Sequence, residues 1–582
     1  MMSEFSRRSF FKGAGIAAVG AAAAGALTGC GNSQKVDENV PNATAGEAPS
    51  APAWLGKAPE IAEKDITETI DTEVLVIGCR TGGLPAVISA AENGAKVLGI
   101  DRVASVSNPR EDIGAIDSKL QQASFEQFPE FRIDKMEAME DIVRYANGFA
   151  RYDLIKLWAD ESGACVDWLT DIVERDGRMV MRFEGGLPPE SEARDKAYAT
   201  GHSPEIVGAA KEDKSFSFGV SLKEYAEEKG AEFRWSTELV KLEQDANERV
   251  VGVIARDVKD RHYIRINAPK GVIIATGGYG NNLEMMQARQ PWNQDLRIPV
   301  PARGGNPTGD GIKAALWVGG KMDPMGAAVT FNRACCKPTE TAGMGNQDTA
   351  ANGNAANWFW FGEQPFLKVN LNGKRFCNES GPYDYMLHST WMQPHHTYVD
   401  IWDSDYVEKV RQINEVGCCR LYPFDNGAPS NMPIQAMEGM FEKSIESGYI
   451  QRADTMEELA AKLNLPVEET VATWKHYNEM AYSGKDTDYN KESYRMLPLD
   501  QPPYYGVRTG AWFLATVDGV IIDTNMHPVR EDDSPIEGLY MTGDASGGMF
   551  AVSYPNLFTG LACGRTMTFG RRAGMLAATG RA

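Results

Sequence analysis

Residues Thr72 to Arg102 constrain this chain more than any other stretch. Val74-Leu75-Val76-Ile77 is a continuous apolar run of strand length, and it passes directly into Gly78-Cys79-Arg80-Thr81-Gly82-Gly83. An Ala-rich amphipathic helix follows over Leu84 to Asn93, then Gly94 and a second buried strand from Lys96 to Ile100, ending on Asp101. In this order a parallel sheet builds a dinucleotide site: the helix's first N–H groups face a pyrophosphate and the acid accepts from a ribose hydroxyl. Gly78, Gly82, Gly83 and Asp101 are therefore candidate cofactor-binding residues, joined by Arg102 beside the acid. Arg80 stands in place of the middle glycine; its backbone cannot be approached as closely, but a guanidinium turned outward can bond a phosphate oxygen.

Two distant segments repeat the pattern. Lys270 to Ile274 runs as a buried strand into Ala275-Thr276-Gly277-Gly278-Tyr279-Gly280, and Gly538 to Asp544 does the same ahead of a Gly/Ala-rich helix from about Gly560 to Ala577. In a doubly wound sheet such loops gather at one edge, which adds Ala275, Thr276, Gly277 and Gly278 to the candidate set. Asp544 is placed either to accept from the sugar-like arm of a cofactor or to cap the segment after it. Asn306 to Gly311 precedes a helix over Ile312 to Val318, with Thr308 or Asp310 as its cap toward the cofactor. Leu222 to Lys229 predicts a helix, and Glu232–Trp235, Val240–Glu243, Val250–Asp257 and Tyr263–Asn267 predict a small antiparallel sheet over the nucleotide core. From about Ala327 to Ala511 the texture changes to aromatics, paired cysteines and turns, then helices at Met456–Leu463 and Val467–Ala481. The expected fold class is α/β, a Rossmann-like domain in two parts, 68–326 and 512–582, with an inserted α+β capping domain over 327–511.

The N-terminus reads as an address. Ser6-Arg7-Arg8-Ser9-Phe10-Phe11-Lys12 ahead of an Ala/Gly-rich apolar run looks like a twin-arginine export signal, and Leu27-Thr28-Gly29-Cys30 looks like a lipobox, which makes Cys30 a candidate lipid anchor. Residues 31–67 lack periodicity and read as a flexible tether. The expected location is exported, on the outer face of the cytoplasmic membrane or in the cell envelope. A formal charge of −21 argues against nucleic acid and is compatible with a cationic electron-carrying partner. The nine cysteines include no Cys-x-x-Cys pair and no haem-attachment motif, and the seven histidines show no metal-ligand spacing, so no metal is expected. Cys335-Cys336 and Cys418-Cys419 are adjacent in sequence, and neighbouring side chains on extended backbone point to opposite faces.

The Gly78–Asp101 unit, Ala275–Gly280, Thr308–Gly311, Gly373-Lys374-Arg375-Phe376-Cys377-Asn378-Glu379-Ser380 and Gly543 through Gly574 together resemble a family of flavoproteins. That family includes soluble fumarate reductases, urocanate reductase, ketosteroid dehydrogenases and exported reductases of anaerobic gut bacteria. The resemblance covers roughly residues 70–582. It implies bound FAD, a capping domain over the flavin ring and hydride exchange with a carbon next to an electron-withdrawing group; it also implies cofactor contacts from Gly114 and Leu557, and from Arg110 a contact with FAD or substrate, with a surface salt bridge as the alternative. Where fumarate reductases carry a proton-donating arginine, a carboxylate-binding arginine and a histidine, this chain has Tyr383, Tyr554 and Ala515. A dicarboxylate would lose its cationic grip there, and two tyrosines resemble the ketosteroid-type members instead.

The resulting expectation is reduction of an activated C=C bond in a conjugated organic acceptor, an enone or aryl acrylate. Tyr383 is the candidate proton donor, since a phenol of pKa about 10 is protonated at neutral pH, and Tyr554 the candidate donor to the oxygen on which charge develops. Either tyrosine is otherwise an ordinary core aromatic. The aromatic run Trp358 to Phe361 with Phe366 lines a substrate pocket or forms domain core. Only one dinucleotide unit is visible, so electrons are expected from a separate cytochrome or quinone-linked membrane protein. Desaturation of a ketone or steroid ring is the alternative reaction, and an electron-transfer module without its own substrate a further one.

Overall fold

The computed structural model describes residues 52–184, 196–296, 307–343, 358–413, 420–423, 430 and 432–581. The export signal, Cys30, residues 31–51 of the expected tether and the Cys418-Cys419 pair lie outside the described residues. The remainder of that tether is not loose: Trp54 is buried in the main core and a strand begins at Ile66, because a large indole and an alternating Ile-Thr-Glu-Thr-Ile-Asp run both find surfaces to cover.

Five parallel strands form the nucleotide-binding sheet, in the order Leu539–Met541, Gly271–Ile274, Val74–Ile77, Val97–Ile100, Glu232–Arg234. The central three are fully buried, as expected for strands covered on both faces. Glu232–Arg234 belongs to this sheet rather than to the small antiparallel one. That one consists of Thr237–Gln244, Val250–Asp257 and Tyr263–Asn267, and Ile66–Asp71 adds a fourth strand at its edge by pairing parallel to Tyr263–Asn267.

The helices Gly83–Glu92 and Leu561–Thr579 cover one face of the sheet, and glycine lets them touch. A Cβ on Gly570 would overlap the Gly82 carbonyl, and one on Gly574 the Ala86 carbonyl. The predicted helices at 222–229, 312–318, 456–463 and 467–481 appear as Phe218–Glu228, Asp310–Trp317, Met456–Lys462 and Val467–Ser483.

The inserted stretch is built on Tyr504–Thr516, a long strand that pairs antiparallel with Ala328–Cys336, Tyr398–Asp403 and Ile450–Ala453. The expected boundary at 511 falls inside this strand, which continues to Thr516 and so carries the chain back to the nucleotide half without a break. Its sheet divides two apolar clusters. Ala334, Cys336, Phe331 and Trp512 join the core of the nucleotide half, while Cys335, Val399, Val507, Phe359, Phe361, Phe366, Trp402 and Phe441 form the insert's own core. The adjacent cysteines thus face opposite sides, and most of the aromatic run is core. Among the described residues no helix is long and apolar enough to cross a membrane.

Candidate active site

The register of the parallel sheet fixes where the chemistry gathers. Ile77 lies opposite both Ile274 and Ile100, and Ile274 opposite Met541, so Gly78, Ala275, Asp101 and Thr542 form one row just past the carboxyl ends of the strands. Three of the four were read from sequence as cofactor residues. Gly78 takes a left-handed backbone, φ +91°, and a Cβ there would sit 2.5 Å from the Ala275 carbonyl oxygen. Gly83 lies so close beneath it that a Cβ would overlap the Gly78 carbonyl. Gly82, the residue before the helix, offers no side-chain cap; the Leu84 N–H bonds the Arg80 carbonyl at 2.9 Å and Pro85 has no N–H, which leaves the Gly83 N–H for an anion. Asp101 is held at the turn because its Oδ2 accepts the Cys79 N–H at 2.8 Å and its Oδ1 the Val103 N–H at 3.2 Å.

Around this turn the predicted arginines each find a partner within the chain. Arg80 Nη2 donates to the Asn108 carbonyl at 3.3 Å; burial pulls its pKa down, with Asp101 opposing and Arg110 assisting. Arg110 donates its backbone N–H to Thr81 Oγ1 at 3.1 Å and its Nη2 to Asp544 Oδ2 at 2.8 Å. Burial alone would lower the Arg110 pKa, but the Asp544 charge and its hydrogen bond leave it raised. Arg565, fully buried in the last helix, approaches the other oxygen of Asp544 at 3.6 Å. Asp544 is therefore a carboxylate between two guanidiniums, 434 residues from its nearer partner. Gly114 packs against the last helix: its N–H bonds the Gly560 carbonyl at 2.8 Å, and a Cβ on Gly564 would overlap its carbonyl. The Leu557 carbonyl accepts the Tyr198 N–H at 2.8 Å.

The second glycine loop closes over the same edge. Gly277 is left-handed at φ +76°, and Gly278 lies so close to Thr516 that a Cβ would overlap its hydroxyl, which accepts the Tyr279 N–H at 3.1 Å. Thr516 ends the long strand of the insert, so the two halves meet at the loop itself. Asp310 and Thr308 do not cap the helix Asp310–Trp317, whose start at left-handed Gly309 has no side-chain cap; the Thr308 hydroxyl instead bonds Asp310 Oδ2 at 2.8 Å and receives Arg102 Nη1 at 3.1 Å. The short Thr308–Asp310 spacing favours that local bond over the cap.

The residues fit FAD. An uncapped helix start suits the pyrophosphate, Asp101 suits the adenosine ribose, and the Thr276 hydroxyl is buried without a hydrogen-bond partner among the described residues.

Sequence reasoning missed a buried network under the C-terminal turn. Tyr279 Oη donates to Asp518 at 2.7 Å, Arg289 Nε to the same carboxylate at 2.8 Å, and Gln290 Nε2 to it at 2.8 Å. Next to it Asp323 accepts the N–H groups of Gly519 and Gly548, so that carboxylate ties the Gly547-Gly548 turn to the Asp518-Gly519 turn. Burial, then the neighbouring Asp518 charge, pushes the Asp323 pKa up to about 7. The Asp-Gly pair at 518–519 was the available signal.

Tyr383 begins the helix Tyr383–Trp391, half-buried, with its ring 5.1 Å from that of Phe331. Phe331 stacks on Trp512, and Trp512 meets Trp358, so Tyr383 belongs to an aromatic wall on the nucleotide side of the insert's sheet. Tyr554 is buried; its phenol oxygen accepts the Ala562 N–H at 2.9 Å in the first turn of the last helix, and its ring lies 5.5 Å from Phe550. Ala515 is buried opposite Val329.

Known proteins share this fold. The chain is similar to vinyl phenol reductase of Lactiplantibacillus plantarum, 26% identical over 514 residues, covering 87% of this chain and 96% of that one. It is similar to digoxin reductase of Eggerthella lenta at 24% identity over 592 residues, covering 98% and 96%. Its fold is that of the 3-ketosteroid-Δ4-(5α)-dehydrogenase from Rhodococcus jostii, with a TM-score of 0.62, 21% identity and coverage of 89% and 99%. The open conformation of a flavocytochrome c3 fumarate reductase matches with a TM-score of 0.60 at 23% identity, covering 88% and 78%. The profile of the FAD binding domain family matches residues 73–556, and the protein belongs to that family, with FAD as its cofactor.

Proposed function

We propose that the protein is an FAD-dependent oxidoreductase that reduces an activated C=C bond in a conjugated organic acceptor of the enone or aryl acrylate type. The observation that carries the reading is the joining of an aromatic wall bearing Tyr383 to the flavin loop through one strand, Trp512 to Thr516. FAD, when bound and reduced by the electron donor, would supply the hydride for the β carbon and return to its oxidised form. Tyr383 delivers the matching proton to the α carbon, and Tyr554 donates to the conjugated oxygen as negative charge grows there. The Phe331, Trp358 and Trp512 rings hold the conjugated system flat and keep water from it, with residues 327–511 acting as the lid.

Two further parts of the reading rest on sequence. Export on a twin-arginine signal with a lipid at Cys30 would put the protein on the outer face of the membrane, and its electrons would come from a separate cytochrome or quinone-linked protein. Purified protein is then expected to be reduced readily by a low-potential dye and poorly by NADH; fast, saturable NADH oxidation coupled to the acceptor would reject this donor.

A second reading, desaturation of a ketone or steroid ring, is favoured by the phenols at 383 and 554 and by the fold shared with a ketosteroid dehydrogenase. The test reduces the flavin anaerobically and follows its reoxidation by a panel of conjugated compounds, alongside the reverse reaction with saturated ketones. Tyr383→Phe should slow reoxidation about 10²-fold or more while retaining FAD. Unchanged kinetics would remove Tyr383 from the reaction.

A further inference from the structure

Val552 holds a backbone conformation that its side chain opposes. Its φ is +63°, and among the described residues it is the one β-branched residue with a positive φ. The Ser553 N–H bonds the Ala551 carbonyl at 2.7 Å, which closes a three-residue turn around it. Such a turn persists only where its surroundings hold it. Tyr554, the proposed donor to the conjugated oxygen, follows two residues after Val552.

Tyr145 supplies much of that hold. It ends the helix Lys135–Tyr145 and is buried. Its carbonyl accepts the Ser553 hydroxyl at 3.1 Å and its phenol donates to Asn556 Oδ1 at 3.3 Å, so it grips the chain on both sides of Tyr554. The same ring stacks on Tyr385, with centroids 5.1 Å apart and planes 16° from parallel. Tyr385 lies in the first turn of the helix Tyr383–Trp391, two residues after the proposed proton donor, and the start of that helix has no side-chain cap. At the helix's other end Trp391 Nε1 bonds Asp295 Oδ2 at 3.2 Å. A further tie runs from the Val552 N–H to the Gly326 carbonyl at 3.2 Å, just ahead of the strand that enters the insert.

We infer that Tyr145 is a positioning residue for the reaction proposed above: by joining the turn ahead of Tyr554 to the helix that opens with Tyr383, it fixes the two phenols relative to each other. The inference rests on the reductase reading and adds to it a residue that acts through its neighbours. A misplacement of about 1 Å can cost on the order of 10²-fold in rate, so loosening either phenol slows the chemical step more than it weakens binding.

The test uses FAD-loaded full-length protein. Tyr145→Leu removes the stack and the bond to Asn556. It is expected to lower kcat for reoxidation of the reduced flavin by a conjugated enone about tenfold or more, with KM within about twofold and the flavin-to-protein ratio unchanged. Tyr145→Phe keeps the stack and should recover most of that rate. Hydrogen–deuterium exchange reads the fastening without turnover: residues 383–391 and 549–556 should both exchange faster in Tyr145→Leu, while 74–77 and 271–274 stay as in the unaltered protein. Unchanged exchange would overturn the assignment, and so would faster exchange with an unchanged kcat, a raised KM alone, or loss of FAD. If Tyr145→Leu does not fold, Tyr385→Ala cuts the same stack from its exposed side and is read in the same way. Failure of every conjugated acceptor to reoxidise the unaltered protein, with both segments loosened in the variant, would sink the reductase reading and keep the link between the two segments. Reoxidation that no variant alters would do the reverse.

Discussion

Gly83 shows how little room a single residue position has in this site. Alanine there would drive its methyl group into the Gly78 carbonyl, and neither residue can yield without opening the strand–turn–helix unit. Gly83→Ala is expected to cost about 1–3 kcal/mol and to release FAD, read as the flavin-to-protein ratio after gel filtration together with the thermal midpoint. A full complement of flavin at an unchanged midpoint would contradict this. Gly83 and Asp101 were legible because all the partners that define them lie within one local unit. Asp323 was not, because the Gly548 N–H it accepts is 225 residues away and the sequence around it has no motif. Asp544 was legible as a site residue and illegible as the partner of Arg110, for the same reason of distance. Tyr383 and Tyr554 were singled out by resemblance, and the contact of Tyr554 with the Ala562 N–H appeared only with the fold.

Strands and helices were read better than the way they join. Hydrophobic runs identify a buried strand but do not name its neighbours, which is why Glu232–Arg234 was assigned to the wrong sheet. The insert's sheet was the least legible, because its main strand mixes Tyr, Gly, Arg, Thr and Trp and alternates between two differently filled faces. One ion pair fastens that sheet. Lys368 Nζ contacts Asp400 and donates to the carbonyls of Gly362 and Gln364 at 2.9 and 3.1 Å, and Thr509 of the main strand reaches the same carboxylate at 3.2 Å. Burial nevertheless pushes the Asp400 pKa up to about 6, with Lys368 opposing. Lys368→Met should therefore destabilise by about 3–5 kcal/mol by stranding the acid, and adding Asp400→Leu should recover a good part of it. Urea titrations of the single and double variants check this; a double variant as unstable as the sum of the two singles would refute it.

For the molecule as a whole, buried acids set the pH response. Burial raises Asp323 to about 7 and Glu184 to about 8, in the second case with Asp112 adding to it. Unfolded carboxyls titrate near 4, so between about pH 4 and 8 the folded state holds protons that the unfolded state has released, and stability falls as pH rises. His202 works the other way at the acid end. Buried with Nδ1 facing the Thr200 carbonyl at 2.9 Å, it is lowered to about 4, so its contribution is lost as pH falls from about 6.5 toward 4. The urea midpoint is expected to decline from pH 6.5 to 8, and Asp323→Asn to make that decline shallower even if the variant is weaker throughout. A midpoint that is flat or rises over this interval would count against these two acids.

The chain departs from its nucleotide half along Ala328–Cys336 and comes back along Tyr504–Thr516, and those two runs are hydrogen-bonded neighbours. Departure and arrival therefore share one doorway. A transplant from a relative, cut at that doorway and keeping the contacts of Tyr385 with Tyr145 and of Trp391 with Asp295, is expected to carry the donor's choice of substrate with it while the protein keeps its FAD.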